Sequence, residues 1–564
     1  MLEVITDIPT YRSERYPSHV LLKTWTSGSP LLLDNTEFIE QIGYFHTQFA
    51  AWRLVKGDKV CVFSSAGHNT MLAVEFALLY YGCILVPVHT GLPASDIQVI
   101  LSEVLPSRCI TTDRHYAALL QSLSDTGEIY IPEDTTDHTT SSEMLVRMNK
   151  PEDIALIIYT SGSTGTPKGV MLTHGSVMST VISLLPILPV RYGHTVVSFL
   201  PVSHIFERIA LYCYLTAGVY LHFAEPRQAM ALMKTIRPHY FTAVPRILDK
   251  AMGRFVQAGD TRHYFVRSIL LWVLEDKDSP WHWLRIRLRK IILYRFRRSF
   301  GGRIRGILAG GAALHPATEQ LFHDAGITVR VGYGLSECCG VATVNRFEPG
   351  GFRPGTVGLP IPGVDVRIDK KPGEQDGEIL LRSAGNMQGY FNRPEESESV
   401  LSQDGWLLTG DRGEIIRGKF LRITGRSKEQ FKNASGEYVA PAKLELLLEQ
   451  SPWVDRAFVT GSGRAYTGVL IIPDFNVIEQ WAKRHQVHWT APMYMVHNTQ
   501  VLHAFEKILA PINAALPAHE QIRRFTLLHE PWTIENGLLS TSFKLRREII
   551  EERFRKEIDE MYLR

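Results

Sequence analysis

The stretch of sequence that says most about the fold is Ile157–Val170, which reads IIYTSGSTGTPKGV. An apolar run typical of a β-strand leads into a loop that contains three glycines, five Ser or Thr residues and Lys168. Glycines let a backbone approach a ligand closely, and hydroxyl groups, backbone N–H groups and a lysine together satisfy phosphate oxygens. A flexible polar linker rarely combines these residue types. The stretch therefore predicts a phosphate-binding loop at a strand end, but not a P-loop, because Lys168 lies between Pro167 and Gly169.

Alternating strand and helix patterns lie on both sides of this loop. Lys59–Ser65 predicts a buried strand, His68–Gly82 a helix that ends at the glycine, and Cys83–Val88 a second strand. Further along, Arg303–Gly334 repeats the order strand, helix, strand, with Pro316 in the first turn of the helix. Such elements with short connections are typical of βαβ units in a parallel sheet. Open sheets of this kind bind their ligands at the strand ends.

The sequence predicts an α/β protein with two unequal domains. From about Gly351 the chain is rich in Gly and Pro, with short alternating strands that indicate a small β subdomain. A compact αβ segment follows Arg426 and ends in a charged helix whose apolar stripe recurs every four residues, at Ile550, Phe554, Ile558 and Tyr562. We expect a large N-terminal domain over residues 1–425, built of βαβ sheets plus the small β subdomain, and a smaller mobile α+β cap over residues 426–564.

Composition argues against several classes of protein. The 564 residues include 61 Lys or Arg and 58 Asp or Glu, a formal net charge of +3, which argues against a surface that binds nucleic acid. The six cysteines lack zinc-ligand spacing and indicate a reducing compartment. The N-terminus lacks the pattern of a secretory signal. The most apolar stretch, Val177–Val190, is interrupted by polar residues and prolines and is too short to span a membrane. We expect a cytoplasmic protein that touches a membrane at its periphery at most.

The phosphate loop is followed by four motifs and a lysine in a fixed order. They are Gly310–Ala312 (GGA), Gly332–Glu337 (GYGLSE), Thr409–Glu414 (TGDRGE), Ile423–Gln430 (ITGRSKEQ) and Lys544. In this order they resemble the adenylate-forming superfamily, which comprises acyl-CoA synthetases, luciferases and the adenylation domains of peptide synthetases. A narrower resemblance, to long-chain fatty acyl-CoA synthetases, rests on Leu200–Tyr212, Phe241–Leu248, Gly436–Glu445 and Glu535–Arg547.

The resemblance implies an ATP-dependent ligase that works in two steps with Mg²⁺. A fatty acid carboxylate attacks the α-phosphorus of ATP to give an acyl adenylate and pyrophosphate, and the thiol of coenzyme A then displaces AMP. Because the substrate supplies its own nucleophile, catalysis depends on positioning two anions and on stabilising charge at phosphorus. Two alternatives stay open. One is an acyl-AMP ligase that passes the acyl group to a carrier protein or another acceptor, and the other is a protein that binds acyl adenylate without turnover.

The resemblance also assigns nucleotide-site residues by their positions within the matched motifs. The implied phosphate-binding residues are Thr160, Ser161, Gly162, Ser163, Thr164, Gly165 and Lys168. The implied nucleotide-binding residues are Gly311, Ala312, Tyr333, Gly334, Ser336, Asp411 and Arg426. Among these, Tyr333 offers a flat face to adenine, whereas Asp411 and Arg426 contact the ribose. Glu337 supplies an oxygen ligand to Mg²⁺. The structural alternatives are a core position for Tyr333 and a loop ion pair for Asp411 with Arg426.

The other implied residues belong to the acyl site and the cap. Lys544 is the catalytic residue that bridges the carboxylate and the α-phosphate, and His204 gates the acyl site. Lys428 is the hinge about which the cap rotates between the two steps, and Gly436 and Glu437 line the coenzyme A tunnel. The acyl pocket is expected along three segments, 204–246, 306–312 and 333–343.

The segment Trp281–Arg305 has an unusual charge, since it holds nine Lys or Arg and no acidic residue. Aromatic and aliphatic residues are interleaved with the charges, and the pattern fits neither helical nor strand periodicity cleanly. Three interpretations stay open: a solvated helix packed on the large domain, contact with an anionic membrane surface, and binding of the phosphates of coenzyme A. The sequence also leaves open the choice between a monomer and a homodimer.

Overall fold

The computed structural model describes residues 2–17, 22–25, 30–64, 66–132, 145, 147–161, 167–258, 282–426, 429–540 and 543–563. Within these ranges the helices are α1 (Asp7–Arg15), α2 (Asn35–Ala50), α3 (Asn69–Tyr80), α4 (Ala94–Val104), α5 (Arg114–Gln121), α6 (His174–Leu184), α7 (Ile205–Thr216), α8 (Pro226–Ile236), α9 (Pro245–Ala258), α10 (His282–Ser299), α11 (Pro316–Asp324), α12 (Pro394–Val400), α13 (Pro441–Leu448), α14 (Phe475–Arg484), α15 (Pro492–Met495), α16 (Thr499–Ala514), α17 (Arg547–Arg553) and α18 (Arg555–Leu563).

The strands of the same ranges are β1 (Leu22–Thr24), β2 (Leu31–Leu33), β3 (Lys59–Ser64), β4 (Ile84–His89), β5 (Arg108–Thr111), β6 (Glu128–Tyr130), β7 (Ile154–Ser161), β8 (Pro167–Thr173), β9 (Thr195–Ser198), β10 (Tyr220–Phe223), β11 (Tyr240–Ala243), β12 (Gly306–Ala309), β13 (Thr328–Tyr333), β14 (Thr343–Val344), β15 (Leu359–Pro360), β16 (Val364–Asp369), β17 (Gly377–Ser383), β18 (Gly389–Tyr390), β19 (Leu407–Ile416), β20 (Phe420–Arg426), β21 (Phe431–Lys432), β22 (Tyr438–Val439), β23 (Val454–Thr460), β24 (Thr467–Pro473) and β25 (Ile522–Leu527).

The first large sheet carries the phosphate-binding stretch. Its seven strands lie in the order β18-β8-β7-β4-β3-β5-β6. The strands from β7 to β6 pair in parallel, and β8 returns antiparallel to β7. Strand β3 is a continuous apolar run because helices cover both faces of a parallel sheet, and the predicted helix after it is the wholly buried α3. Gly82, just beyond α3, has φ of +75°, a conformation that favours glycine.

The second large sheet supplies strand ends to the central cavity. Its nine strands lie in the order β15-β14-β13-β12-β11-β9-β10-β1-β2, and those from β13 to β1 are parallel. Helix α11 begins at Pro316, whose fixed φ suits the first turn and whose missing N–H costs no hydrogen bond there. The predicted strand, helix, strand unit over Arg303–Gly334 is therefore present, as β12, α11 and β13.

A four-stranded antiparallel sheet in the order β16-β17-β19-β20 forms the predicted small β subdomain. Strands β19 and β20 pair directly, and their register sets Asp411 opposite Arg426. The sheet thus brings two separate sequence motifs to one place.

The C-terminal segment forms its own α+β unit around the sheet β23-β24-β25. The prediction of one C-terminal helix is wrong, because the chain breaks at Phe554 between α17 and α18. Ile550, Phe554 and Ile558 are nevertheless all buried in one cluster with Trp532. The apolar stripe is therefore maintained across the break by packing against the sheet.

The basic segment forms helix α10 over residues 282–299, as the first of its three open interpretations expected. Leu293 and Phe296 are buried in the core of the second sheet, which agrees with a helix packed on the large domain. Ile291 and Tyr294 are exposed, at 56% and 62%. Because apolar residues lie on both faces of the helix, its sequence shows no single apolar stripe at helical spacing. Trp281 lies outside the described residues.

No helix in the described part of the chain is both long and apolar enough to cross a bilayer. All six cysteines lie within that part and are buried free thiols, including the adjacent Cys338 and Cys339.

Candidate active site

A cavity of about 550 Å³ lies where the two large sheets, the small β sheet and the C-terminal segment meet. Residues at or just beyond the carboxyl ends of β11, β12 and β13 line it, as expected for an open α/β sheet. Helix α7, the turn at Ser336–Cys338, strands β19 and β20, and the loop that carries Lys544 close the remaining sides. The cavity therefore unites residues from motifs spread along much of the chain.

A hydrogen-bonded trio fixes a carboxylate at one end of the cavity. The hydroxyl of Tyr333 donates to Oδ2 of Asp411 over 2.8 Å, and Nε of Arg426 lies 2.9 Å from Oδ1. Burial, followed by the charge of Asp411, raises the pKa of Tyr333, so the phenol stays protonated and can donate. Gly311, Gly334 and Ser336 line the same end. Ala312 is exposed and does not line the cavity.

Gly334 has a clear steric reason to be glycine. A Cβ at this position would lie 2.3 Å from the carbonyl oxygen of Gly340. The chain can therefore fold back tightly after β13 only without a side chain here. That turn carries Ser336 and Glu337 into the cavity wall.

Lys168 and Glu337 both line the cavity beside Tyr390. The ammonium of Lys168 pairs with the carboxylate of Glu396 and lies 5.5 Å from the ring centroid of Tyr390. The Tyr390 hydroxyl donates to Oε1 of Glu337 over 2.8 Å. Thr160 lines the cavity beside them. Gly162, Ser163, Thr164 and Gly165, together with the Ser161 side chain, lie outside the described residues.

The residues present fit Mg²⁺ that arrives with a nucleotide. Glu337 offers a hard carboxylate at the cavity wall, and Mg²⁺ is commonly held by one or two carboxylates together with substrate phosphates. The described residues hold no group of three or more His, Cys, Asp or Glu suited to a metal. Glu337 is therefore the residue that would hold the ion.

Lys544 enters the cavity from the C-terminal segment on a tight turn. Its backbone N–H donates to Oγ of Ser540 over 3.0 Å, and its carbonyl accepts from the N–H of Ser540 over 2.8 Å. Burial lowers the pKa of Lys544 to about 8, with a further contribution from Arg426 and opposition from nearby carboxylates such as Asp411. The lysine thus lies near Arg426 and Asp411, at the end of the cavity that the sequence resemblance assigns to the nucleotide (the nucleotide end below). Lys428 lies outside the described residues, and its neighbour Glu429 lines the cavity.

The other arm of the cavity is apolar. Its walls come mainly from α7, the end of α6 and the ends of β11 and β12, and are formed by Leu184, Leu188, Leu200, Ile205, Phe206, Ile209, Ala210, Cys213, Val244, Leu308, Val341 and Val344. Most of these residues lie in the three expected segments. Leu184, Leu188 and Leu200 precede them, and no motif in the sequence marks α6 as a wall.

Glu207 is a polar exception in this apolar arm that the sequence analysis did not identify. Its side chain is fully buried on α7 and borders the cavity. Oγ of Ser198 donates to one carboxylate oxygen over 2.5 Å, and the hydroxyl of Thr242 donates to the other. Burial raises the pKa of Glu207 to about 8, although both hydroxyls oppose that shift. Its one visible signal in the sequence is an acid inside an apolar helical run.

His204 lies at the start of α7 and lines the cavity. Its ring is 6.4 Å from that of His89. Burial, followed by His204, lowers the pKa of His89 to about 4, so His89 is neutral near pH 7. The two residues implied for a coenzyme A tunnel, Gly436 and Glu437, lie in the turn between β21 and β22 and do not line this cavity.

Comparison with known families and proteins agrees with this geometry. Residues 48–391 match the AMP-binding enzyme family, and residues 429–564 match the AMP-binding enzyme C-terminal domain. The chain therefore belongs to the AMP-binding enzyme family, which confirms the adenylate-forming resemblance. Enzymes of this family use ATP, Mg²⁺ and coenzyme A.

Among characterised relatives, the chain is similar to long-chain fatty acid–CoA ligases. It is 28% identical over 540 residues to FadD15 of Mycobacterium bovis, which covers 90% of this chain and 88% of the relative. It is 32% identical over 434 residues to human long-chain fatty acid–CoA ligase 1, which covers 73% of this chain and 61% of the relative.

Solved structures share the fold. The adenylation domain of a carboxylate reductase from Mycobacterium chelonae superposes with a TM-score of 0.77 at 21% identity, covering 100% of this chain and 91% of that domain. The o-succinylbenzoate CoA synthetase of Bacillus subtilis, solved with its acyl-adenylate intermediate, gives 0.73 at 18% identity, covering 96% and 97%. These likenesses establish an α/β adenylation fold with a large N-terminal and a smaller C-terminal domain.

Proposed function

We propose that this protein is a long-chain fatty acid:CoA ligase that works through an acyl adenylate. The observation that carries the proposal is a single cavity with two unlike ends. One end holds Asp411, Arg426, Glu337 and Lys544, and the other is an apolar arm along α7. A nucleotide phosphate can therefore meet the head of an apolar acid inside one enclosed space.

In the first step, a carboxylate oxygen attacks the α-phosphorus of ATP. The new O–P bond forms as the bond from the α-phosphorus to the bridging oxygen of pyrophosphate breaks. Lys544 neutralises the charge that accumulates between the two anions. In a site that excludes water, such stabilisation by a preorganised charge is usually the largest single contribution to catalysis. Asp411 orients the ribose, and Lys168 with Thr160 binds the departing phosphates. Bound Mg²⁺ would supply charge neutralisation at those phosphates, held by Glu337.

In the second step, the thiol of coenzyme A loses its proton and attacks the acyl carbon. The thiol proton passes to solvent as the carbon–sulfur bond forms. The bond from the acyl carbon to the phosphate oxygen breaks, and AMP leaves with that oxygen and the electron pair. We place the domain boundary at Arg426 and the pivot at Lys428, so that rotation of the cap withdraws Lys544 and brings Gly436 and Glu437 to the pantetheine. The exposed turn that holds this pair is consistent with a role in a second orientation.

The long-chain preference rests on two supports. The apolar arm extends past His204 along α7 as far as Cys213 and reaches Leu184 and Leu188. The relatives FadD15 and human ligase 1 are long-chain fatty acid–CoA ligases.

The test is a panel of linear acids from acetate to oleate, with aromatic acids included. ATP–pyrophosphate exchange reports the first step, and thioester formation with coenzyme A reports the second. We expect the highest kcat/KM for long saturated or monounsaturated acids and a clear stimulation of AMP release by coenzyme A. Exchange without stimulation by coenzyme A would indicate transfer to a carrier protein or another acceptor. Absence of exchange with every acid would indicate a binding protein.

We also propose that α10 contacts anionic membranes, where long-chain acids accumulate. Arg287, Ile291, Tyr294 and Arg298 recur at intervals of three or four residues, Lys290 precedes Ile291, and all five are exposed. Basic residues around exposed apolar ones are typical of helices that lie in a membrane interface.

Vesicle flotation tests this contact. We expect wild-type protein to float with vesicles that contain anionic lipid but not with neutral phosphatidylcholine vesicles, and the double variant Ile291→Asp with Tyr294→Asp to remain unbound. Tyr494→Asp, at another exposed tyrosine, is the matched control. Equal flotation of all three proteins would contradict the proposal.

A further inference from the structure

An ion pair joins the Lys544 loop to the large domain. Nη1 of Arg546 lies 2.7 Å from Oδ2 of Asp96, which occupies the first turn of α4. The exposed fractions of the two side chains are 8% and 15%, so the pair is largely sheltered from water. Sheltered pairs are screened much less by salt than surface pairs, and their geometry is more restrictive.

Backbone hydrogen bonds on both sides of Lys544 hold Arg546 in a fixed position relative to it. Leu539 and Leu545 form a β-bridge on either side of the turn, and the N–H of Arg546 donates to the carbonyl of Leu538 over 3.0 Å. Phe543 adopts φ of +60°, a conformation that L residues rarely take, so the backbone next to Lys544 is restricted. A displacement of Arg546 must therefore displace the ammonium two residues away.

Another set of ion pairs between the cap and the large domain centres on Asp455 and is more exposed to water. Asp455 on β23 lies 2.9 Å from Arg246 and 3.9 Å from Lys250. Its side chain is 30% exposed and its partners are 23% and 56% exposed, and the contact is on another element of the cap. It anchors the cap without touching the Lys544 turn.

We propose that Asp96 and Arg546 form a latch that holds Lys544 in register for adenylation and opens for thioester formation. The inference rests on the proposed function and adds two positioning residues to it. Since Arg546 belongs to the cap and Asp96 to the large domain, any rotation that withdraws Lys544 must break the pair. The latch therefore acts in the first half-reaction alone.

The experiment measures the two half-reactions separately in the full-length protein. ATP–pyrophosphate exchange with a long-chain acid reports adenylation, and coenzyme A added to chemically prepared acyl adenylate reports thioester formation. We expect Asp96→Ala to lower kcat of exchange roughly 10- to 100-fold, the range expected when a reacting group is misplaced by about 1 Å. Thioester formation from the prepared adenylate should stay within about twofold of wild type, because that step takes place with the pair already broken.

Three further variants make the outcome decisive. Asp96→Asn keeps the shape of the side chain and should reproduce the loss if Asp96→Ala fails to fold. The exchanged pair Asp96→Arg with Arg546→Asp should recover a large part of the exchange activity, because it restores the ion pair with its charges reversed. Asp455→Ala is the matched control and should change exchange far less.

Equal losses in both half-reactions would overturn the latch, and so would an Asp96 variant that behaves like Asp455→Ala. These results differ from a failure of the proposed function, in which wild-type protein itself shows no exchange with any acid.

Discussion

The two ends of the cavity surround their buried carboxylates with different kinds of partner. Asp411, at the nucleotide end, lies against a guanidinium and a phenol. Glu207, at the apolar arm, is bonded by two neutral hydroxyls, and burial raises its pKa to about 8. One end sets its carboxylate against a cation, whereas the other sets its carboxyl group between neutral hydroxyls in an apolar wall. Changes at the two ends should therefore affect different substrates and respond differently to pH.

The largest effect is expected from Lys544→Ala. Because we propose that this cation stabilises charge at the α-phosphate, its removal should lower kcat of ATP–pyrophosphate exchange about 100- to 1000-fold. Thioester formation from prepared acyl adenylate should be nearly unchanged. Both rates can be measured with a single long-chain acid.

Lys443→Ala is the matched control for this variant. Lys443 also belongs to the cap and pairs with Glu520, but its side chain is 53% exposed and lies outside the cavity wall. It should leave both half-reactions at wild-type rates. If the two lysine variants lose exchange to the same extent, the assignment of Lys544 is wrong.

Asp411→Asn should give the next largest effect. The amide can still accept from Tyr333 but no longer forms an ion pair with Arg426, and a hydrogen bond to a charged group contributes about 1.5–3 kcal/mol. We expect KM for ATP to rise roughly 10-fold or more, with KM for the acid little changed. Initial-rate kinetics in both substrates measure the two constants.

Asp376→Asn provides the control for the Asp411 variant. Asp376 accepts from Arg412 at 2.8 Å on the same small sheet but does not line the cavity. It should leave KM for ATP unchanged. A rise in KM for the acid in the Asp411 variant would show that the two ends are not separate.

The two ends also differ in how far the sequence predicted them. Tyr333, Glu337, Asp411, Arg426 and Lys544 each lie within a short motif, because backbone turns and strand register place them locally. The apolar arm has no such motif. Leu184 and Leu188 reach the cavity only through the packing of α6 against α7, and any apolar residue of suitable size would serve there.

The fold shows the same difference between features set by local sequence and features set by tertiary packing. The strand, helix, strand units and the small β sheet were predicted because their periodicity is local. The break at Phe554 was missed, since the apolar stripe continues across it in tertiary packing. A helix packed on the large domain was one of three open interpretations of the basic segment, and periodicity alone did not select it because exposed Ile291 and Tyr294 obscure the apolar stripe.

Ala210→Trp tests the apolar end directly. Ala210 lines the cavity on α7, so a large side chain there should block the arm and leave the nucleotide end intact. We expect kcat/KM for long-chain acids to fall about 10-fold relative to short ones, while KM for ATP stays the same. The acid panel with a constant ATP concentration measures the change.

A graded series serves as the control for Ala210. Ala210→Val should shift the preferred chain length less than Ala210→Trp, because it fills less of the arm. A uniform loss across all acids in both variants would point to damaged folding instead of a shortened pocket.

The smallest effect is expected from Glu207→Gln, and it should appear in stability and depend on pH. The folded-state pKa of about 8 exceeds the ordinary value of 4.5, so the folded protein binds this proton more tightly. The resulting stability is fully present below pH 4.5 and is lost as pH rises through about 8. Glutamine does not titrate and resembles the neutral acid in shape. The Tm of the variant relative to wild type should therefore rise by a few degrees between pH 5 and pH 9.

Glu75→Gln is the matched comparison, because Glu75 forms two hydrogen bonds with the buried Arg208, at 2.8 and 3.0 Å. Removing that charge leaves a buried guanidinium without its counter-charge and should lower Tm at both pH values. Melting curves of wild type and both variants at pH 5 and pH 9 measure these differences in Tm. If the difference between Glu207→Gln and wild type is the same at both pH values, Glu207 is ionised in the folded protein. The contrast between the two ends of the cavity would then be lost.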